Sequence, residues 1–187
     1  MTRIIAGDFA GQRLAVPSSG TRPTSDRVRE ALFSSLETTG LLDGARVLDL
    51  CAGSGALGIE ALSRGAQFAD LVESHHKSAA IIKKNIAGLK LASTRIAVHA
   101  RDARTFVADK ATTVAYDLVF IDPPYGIAPE LIEQCLVTLK DRQLLVSDGL
   151  VIAESATRSE LDPPAGWQVW REKAYGETRL TYLELAQ

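Results

Sequence analysis

The sequence predicts an α/β sandwich: a mostly parallel sheet between helices, closed by an antiparallel C-terminal hairpin and preceded by a small hairpin-and-helix arm. Three observations predict it. From residue 46 onward, short β-type runs alternate with amphipathic segments, and repeated βα units build parallel sheets covered on both faces. A glycine-rich turn, Gly53-Ser54-Gly55-Ala56-Leu57-Gly58, follows the first of those runs. Near the end of the chain the alternation stops, and two β-rich runs meet at Gly176-Glu177.

Taken in order, residues 3–7 and 12–16 are short β-type runs with Gly7 and Gly11 around the turn, which predicts a small hairpin. Residues 17–23, rich in Pro, Ser and Gly, read as loop. Thr24 or Ser25 can cap a helix whose apolar positions Val28, Ala31, Leu32 and Leu36 have helical spacing, and Gly40 ends it. Residues 1–40 thus form an arm and residues 41–187 the main domain. In that domain the expected strands are 46–50, 68–73, 95–99, 117–122 and 150–154. The expected helices are 56–64, 76–89, 102–110 and 129–140. The second of these places Ala79, Ile82, Ile86 and Leu89 on one face and turns Lys77, Lys83 and Lys84 outward, most simply as a solvated face. Residues 167–175 and 178–185 form the closing hairpin.

Composition bounds the function. The chain has 187 residues, 46% hydrophobic and 24% charged, and a chain of that size buries about 70% of its unfolded surface without disulfides or metals. No run approaches the roughly 18 apolar residues of a membrane helix, and the start lacks the pattern of a signal peptide. Cys51 and Cys135 give neither a disulfide framework nor zinc spacing. The expectation is a cytoplasmic monomer without metal. The net charge of −2 argues against a nucleic-acid binder only as a total. Residues 1–29 hold five arginines (Arg3, Arg13, Arg22, Arg27, Arg29) against Asp8 and Asp26, so the arm is basic and the remainder acidic. Arginine suits bidentate phosphate contact, which makes these five candidate nucleic-acid-binding residues, and the resemblance given below implies RNA.

The glycine turn is a candidate cofactor site. Gly53, Gly55 and Gly58 form G-x-G-x-x-G between a strand and a helix, and Glu73 stands twenty residues after Gly53. Two cofactors compete for such a turn. A nicotinamide dinucleotide brings a pyrophosphate, which wants a bare helix N-terminus and no anion beside it. Asp49, four residues before Gly53, supplies an anion. S-adenosylmethionine has no phosphate and offers an ammonium and a sulfonium, which favours it. Glu73 can accept from ribose hydroxyls or stand solvated at a strand end. Asp102, with Ala103 beside it, can meet the adenine amino group or cap the next helix, and one side chain can do both.

The fourth strand runs into Asp122-Pro123-Pro124-Tyr125. Ligands sit outside the carboxyl ends of a parallel sheet, so this tetrapeptide should face the same crevice as the glycine turn. An exocyclic base amine is a poor nucleophile because its lone pair is conjugated into the ring. Methylating it requires acceptors for its N–H groups, held in line with the methyl. The Asp122 carboxylate and the Pro123 carbonyl supply them, the two prolines stiffen the turn, and Tyr125 offers a face on which an extruded base can stack. Positioning, rather than a strong base, would supply most of the rate.

With these motifs in hand, the sequence resembles a class I S-adenosylmethionine-dependent methyltransferase, a Rossmann-like fold. The head (residues 3–33, with Arg22-Pro23-Thr24 and Arg27-Val28-Arg29-Glu30), the run from Gly53 to Ala66, and Tyr175-Gly176-Glu177-Thr178-Arg179-Leu180 are similar to the bacterial 16S rRNA (guanine-N2)-methyltransferase family, methyltransferase D. The likeness covers essentially the whole chain. It implies methyl transfer to N2 of one guanine of 16S rRNA, with the assembling small subunit as substrate. It also implies cofactor contacts from Asp49, Gly53, Gly55 and Glu73, with Asp122 and Tyr125 at the target base. One departure is Cys51, where such enzymes commonly carry an aromatic residue; here it reads as a small residue packing beside the cofactor. Cys135 reads as core, His75-His76 as solvated helix-terminal residues rather than a metal pair, and Trp167 and Trp170 as packing. The competing readings are a DNA adenine-N6 methyltransferase, an NAD-dependent oxidoreductase and a non-catalytic RNA-binding assembly factor.

Overall fold

A computed structural model describes residues 1–17, 25–110 and 114–186. Its arm comprises β1 (Thr2–Arg3), β2 (Arg13–Leu14) and α1 (Asp26–Glu37). The main domain runs β3 (Arg46–Leu50), α2 (Ala56–Ser63), β4 (Phe68–Val72), α3 (His76–Gly88), β5 (Ile96–His99), α4 (Ala103–Asp109) and β6 (Tyr116–Ile121). A single 3-10 turn (Tyr125–Ile127), α5 (Ala128–Asp141), β7 (Leu145–Ala156), β8 (Trp167–Tyr175) and β9 (Thr178–Leu185) complete it. Seven strands lie in the order β5-β4-β3-β6-β7-β9-β8. The first five are parallel and β9 and β8 are antiparallel, as expected. Chain order reverses between β3 and β6, so the glycine turn after β3 and the tetrapeptide after β6 flank one topological switch point.

Alternation along the buried strands divides the core into two layers. Val47, Leu71, Leu118, Phe120 and Ile152 face α1, α2 and α3. Leu48, Leu50, Val119, Ile121 and Val151 face α4 and α5, where Cys135 is fully buried beside Leu131, Ile132, Leu136 and Leu139. Burial pushes the Cys135 thiol up to about 12, which fits an inert packing residue.

The arm belongs to the first layer. Ile4, Leu14, Val28, Leu32, Phe33 and Leu36 share one apolar cluster with Val47 and Ile59. The hydrogen bonds of the seam are specific. Glu60 of α2, fully buried, accepts from the Ile5 and Ala6 amides at 2.7 and 3.0 Å. Asn85 of α3 grips Ala15 through both its amide and its carbonyl, at 2.9 and 3.0 Å. Gly7 is required here: its φ is +82°, and a Cβ would lie 1.8 Å from the Ser63 carbonyl oxygen. Ser25 caps α1, accepting from the Val28 amide at 3.3 Å. The alternative cap Thr24, Arg22 and most of the expected 17–23 loop lie outside the described residues.

Several boundaries differ from expectation. β7 is twelve residues long because its second half pairs on both sides, with β6 and with β9. Trp167 is buried and donates to the Leu136 carbonyl at 3.1 Å. Trp170 is not core: an irregularity between Val169 and Arg171 leaves it 45% exposed, edge-on to Tyr182 with ring centroids 5.9 Å apart. Among the described residues, no helix is long and apolar enough to cross a membrane.

Candidate active site

A cavity of about 1200 Å³ opens at the carboxyl ends of the parallel strands. It brings together Asp49, Cys51 and Gly53 after β3, Glu73 after β4, Asp102 and Ala103 before α4, and all of Asp122, Pro123, Pro124 and Tyr125 after β6. Ten of the eleven residues expected at the cofactor and at the chemistry therefore share one crevice. Gly55 is the exception. It is the left-handed residue before α2 (φ +80°), and a Cβ there would meet Ile59, Ile82 and Leu71 at 3.2–3.3 Å. The position a side chain would take there is packed against the core, while its neighbours Ser54 and Ala56 line the crevice. At Gly53 a Cβ would meet nothing within 4 Å, so the backbone on the crevice side is open to a ligand.

Asp49 is the electrostatic centre of the wall. It is 1% exposed, and its Oδ2 accepts from the Gly58 amide at 2.9 Å. Its Oδ1 is buried with no hydrogen-bond partner among the described residues. Burial pushes this carboxyl up to about 8, helped by the charges of Asp122 and Glu73 and opposed by the Gly58 N–H. A buried acceptor in that state is costly unless a donor or cation arrives. The Gly58 contact needs glycine, since a Cβ there would lie 2.1 Å from Leu71 Cδ2.

Glu73 holds the turn as well as facing the crevice. Its Oε2 accepts from the Gly53 amide at 2.8 Å and its Oε1 from the His75 amide at 2.7 Å. Asp102 caps α4, accepting from the Arg104 and Thr105 amides at 2.9 and 3.2 Å, and pairs with Arg104. Both helix cap and cavity wall are thus present in the one side chain. Those Arg104 contacts, together with the amides, hold its carboxyl below its ordinary value. Cys51 has φ +66° and lines the cavity while packing against the second core layer. Burial pushes its thiol well up, so it is not a reactive group. His75 precedes α3 and its ring contacts Ser78 Oγ at 3.3 Å. Among the described residues no cluster of His, Cys, Asp and Glu could hold a metal ion.

Tyr125 is fixed by the neighbouring strands. Its hydroxyl lies 2.8 Å from Thr178 Oγ1 of β9 and donates to Glu154 Oε1 of β7 at 3.3 Å. Glu154 carries no motif in the sequence, although it ends the expected strand 150–154 as Asp49 nearly ends β3. Arg101 and the exposed Arg158 also reach the cavity and were not anticipated.

The arm arginines do not share one environment. Arg13 and Arg27 are exposed, and Arg3, with a side chain 67% exposed, pairs with Asp26 at 3.4 Å. Arg29, expected at a phosphate, is withdrawn from the outer surface but lines the cavity, and its Nε and Nη1 have no hydrogen-bond partner among the described residues. It is 1% exposed and donates to the Arg3 carbonyl and to Asp26, both at 2.7 Å, because its helix face turns toward the sheet. Arg22 lies outside the described residues.

The donor set fits S-adenosylmethionine. A buried carboxylate oxygen without a partner among the described residues suits an ammonium, an open glycine turn admits a close chain, and the Asp49 anion beside that turn disfavours a pyrophosphate.

Comparison with known proteins agrees with this geometry. Residues 2–184 match the family described as Conserved hypothetical protein 95. The ribosomal RNA small subunit methyltransferase D of Escherichia coli K12 is 41% identical over 94% of this chain and 85% of its own length. The enzyme of the same name from Haemophilus influenzae is 36% identical over 93% and 89%. The solved structure of Escherichia coli yhhF superposes with a TM-score of 0.85 at 37% identity, covering 100% of this chain and 99% of that one. The chain belongs to the Conserved hypothetical protein 95 family and, with these relatives, to the small-subunit ribosomal RNA methyltransferase D family.

Proposed function

We propose that this chain transfers a methyl group from S-adenosylmethionine to the exocyclic N2 amine of a guanine in 16S rRNA, presented in the small ribosomal subunit or its precursor. The observation that carries the proposal is the sharing of one crevice by the Asp49 glycine turn and the Asp122–Tyr125 tetrapeptide, at the switch point of the sheet. S-adenosylmethionine, when bound, supplies an electrophilic methyl on a cationic sulfur. Asp49 holds the ammonium, Gly53 admits the methionine chain, Glu73 accepts from the ribose and Asp102 meets the adenine. Cys51 and Ala103 pack alongside.

On the other side of the crevice, Tyr125 stacks on the extruded base, its ring held by Thr178. Asp122 and the Pro123 carbonyl accept the amine N–H groups, and Pro124 keeps the turn stiff. The amine nitrogen would bond the methyl carbon as the methyl–sulfur bond breaks, the sulfur would leave as the neutral thioether of S-adenosylhomocysteine, and one amine proton would pass to bulk water. Positioning of this kind supplies the rate without a strong base. Residues 1–40 present Arg3, Arg13 and Arg27 to the RNA, while residues 41–187 carry the transfer. The reading has a cytoplasmic monomer acting without metal.

The test incubates the purified chain with labelled S-adenosylmethionine and small subunits that lack the modification. Label in 16S rRNA is expected. Label in DNA adenine would favour the DNA methyltransferase reading, and no label with retained subunit binding would favour an assembly factor.

A further inference from the structure

The carboxyl edge of the sheet carries a second buried carboxylate beside Asp122. Glu154 is 7% exposed and lines the same cavity. β6 and β7 are parallel, and Ile121 is in register with Ala153. Asp122, the first residue after β6, therefore leaves the sheet beside Glu154 of β7, from backbones that are about 4.8 Å apart where they pair. Tyr125, the stacking ring, connects the two: it follows Asp122 by three residues and its hydroxyl donates to Glu154 Oε1.

The Tyr125 hydroxyl has its shorter bond to Thr178, at 2.8 Å against 3.3 Å to Glu154. An ionised carboxylate has about four acceptor positions, so it can hold the hydroxyl and still accept from a ligand.

The chemistry of the amino-bearing bases points to what the carboxylate reads. Around the reacting amine of guanine, the adjacent ring nitrogen N1 carries a hydrogen and donates. In adenine and in cytosine, the ring nitrogens flanking the exocyclic amine are bare acceptors. A carboxylate next to Asp122 accepts from the guanine N1–H and repels the lone pair of the other two bases.

Resting on the function proposed above, we propose that Glu154 is the specificity-determining residue of the site, accepting the N1–H of the target guanine while Asp122 accepts from its N2 amine. Asp122 alone serves any exocyclic amine; the pair selects guanine.

The test uses 2-aminopurine, which keeps the N2 amine and has no N1–H. Small subunits are rebuilt with 16S rRNA carrying either guanine or 2-aminopurine at the nucleotide that takes label. The wild-type chain is expected to methylate the 2-aminopurine particle about 10–100-fold more slowly, the range for removal of one specific hydrogen bond to a base. In Glu154→Gln the amide can donate to the bare N1, so the ratio should collapse or invert toward 2-aminopurine. Tyr125→Phe removes the hydroxyl and keeps both carboxylates, and its guanine preference should remain that of wild type even if overall turnover falls. Equal wild-type rates on the two particles would overturn the inference without needing any variant. So would a Glu154→Gln enzyme that slows on both particles by the same factor. A wild-type chain that labels no guanine particle would instead overturn the parent reading, and this inference with it.

Discussion

Buried carboxylates occur in two regions of the molecule, and their partners differ. In the scaffold, Glu60 accepts from two arm amides and from Arg64. Asp70, on β4, accepts from Tyr116 and Lys110 and contacts His99 Nε2 at 2.6 Å. Burial would raise Asp70, but these partners overcome it and hold the carboxyl down at about 2. At the crevice, Asp49 has one amide donor and one oxygen without a partner among the described residues, and its carboxyl rises to about 8. The same side chain, equally withdrawn from water, is thus an anion in one place and a proton holder in the other. Glu60 and Asp70 come with their donors built in, and so does Glu73 at the crevice; of the four, Asp49 is the one with an oxygen that has no partner among the described residues.

The largest break in that comparison should come from Asp122→Ala. It removes the acceptor proposed for the amine and leaves the Asp49 side intact. We expect transfer to fall by about 100–1000-fold, the scale for removing one positioned hydrogen-bonding group, with binding of S-adenosylhomocysteine by calorimetry unchanged. Matching losses in both measurements would mean that the crevice has no such division.

Glu60→Ala should act on stability instead. It strips the acceptor from the Ile5 and Ala6 amides and leaves the half-buried Arg64 with Glu37 as its remaining carboxylate partner, at a cost of about 2–4 kcal/mol, mainly for the two amides. Urea unfolding checks this, and a loss below about 1 kcal/mol would show that water replaces the carboxylate.

In free protein Asp49 keeps its proton up to about pH 8. An ammonium beside it favours the anion, so binding below that pH expels a proton. Affinity for S-adenosylhomocysteine should therefore rise toward a plateau near pH 8, by up to about tenfold per unit. Asp49→Asn should flatten that slope. For the free chain the sign is the opposite. The folded state holds a proton that the unfolded state has lost, so this group's contribution to stability declines as pH rises from its ordinary value toward 8.

The smallest effect is expected in the arm. Reversing Arg13 and Arg27, both exposed, should weaken RNA binding and lower the salt dependence of affinity by about one counterion for each phosphate no longer neutralised. An unchanged salt slope would remove the arm from the RNA interface.

What the sequence made legible was whatever depends on local periodicity and on strand ends. The order of strands and helices, the glycine turn and the tetrapeptide all follow from short windows, because a parallel sheet brings the carboxyl ends of its strands to one edge. Properties set by distant partners were not legible. Arg27 and Arg29 are two residues apart in one helix, and only the docking of α1 onto the sheet exposes one and buries the other. Gly53 and Gly55 differ in the same way, one open to the crevice and one against Ile59, Ile82 and Leu71. Glu154 stands unmarked at a strand end because its meaning comes from register with β6. The Asp70 cluster draws on four separate segments of chain.

The central claim is that the crevice is divided, with cofactor on the β3–β4 side and base on the β6–β7 side. A crystal structure with S-adenosylhomocysteine tests it most directly. The ligand's amino group should lie within hydrogen-bonding distance of Asp49 Oδ1, its ribose at Glu73 and its adenine beside Asp102, with the space before Asp122 and Tyr125 left clear. A ligand stacked on Tyr125, or with its amino group away from Asp49, would contradict it.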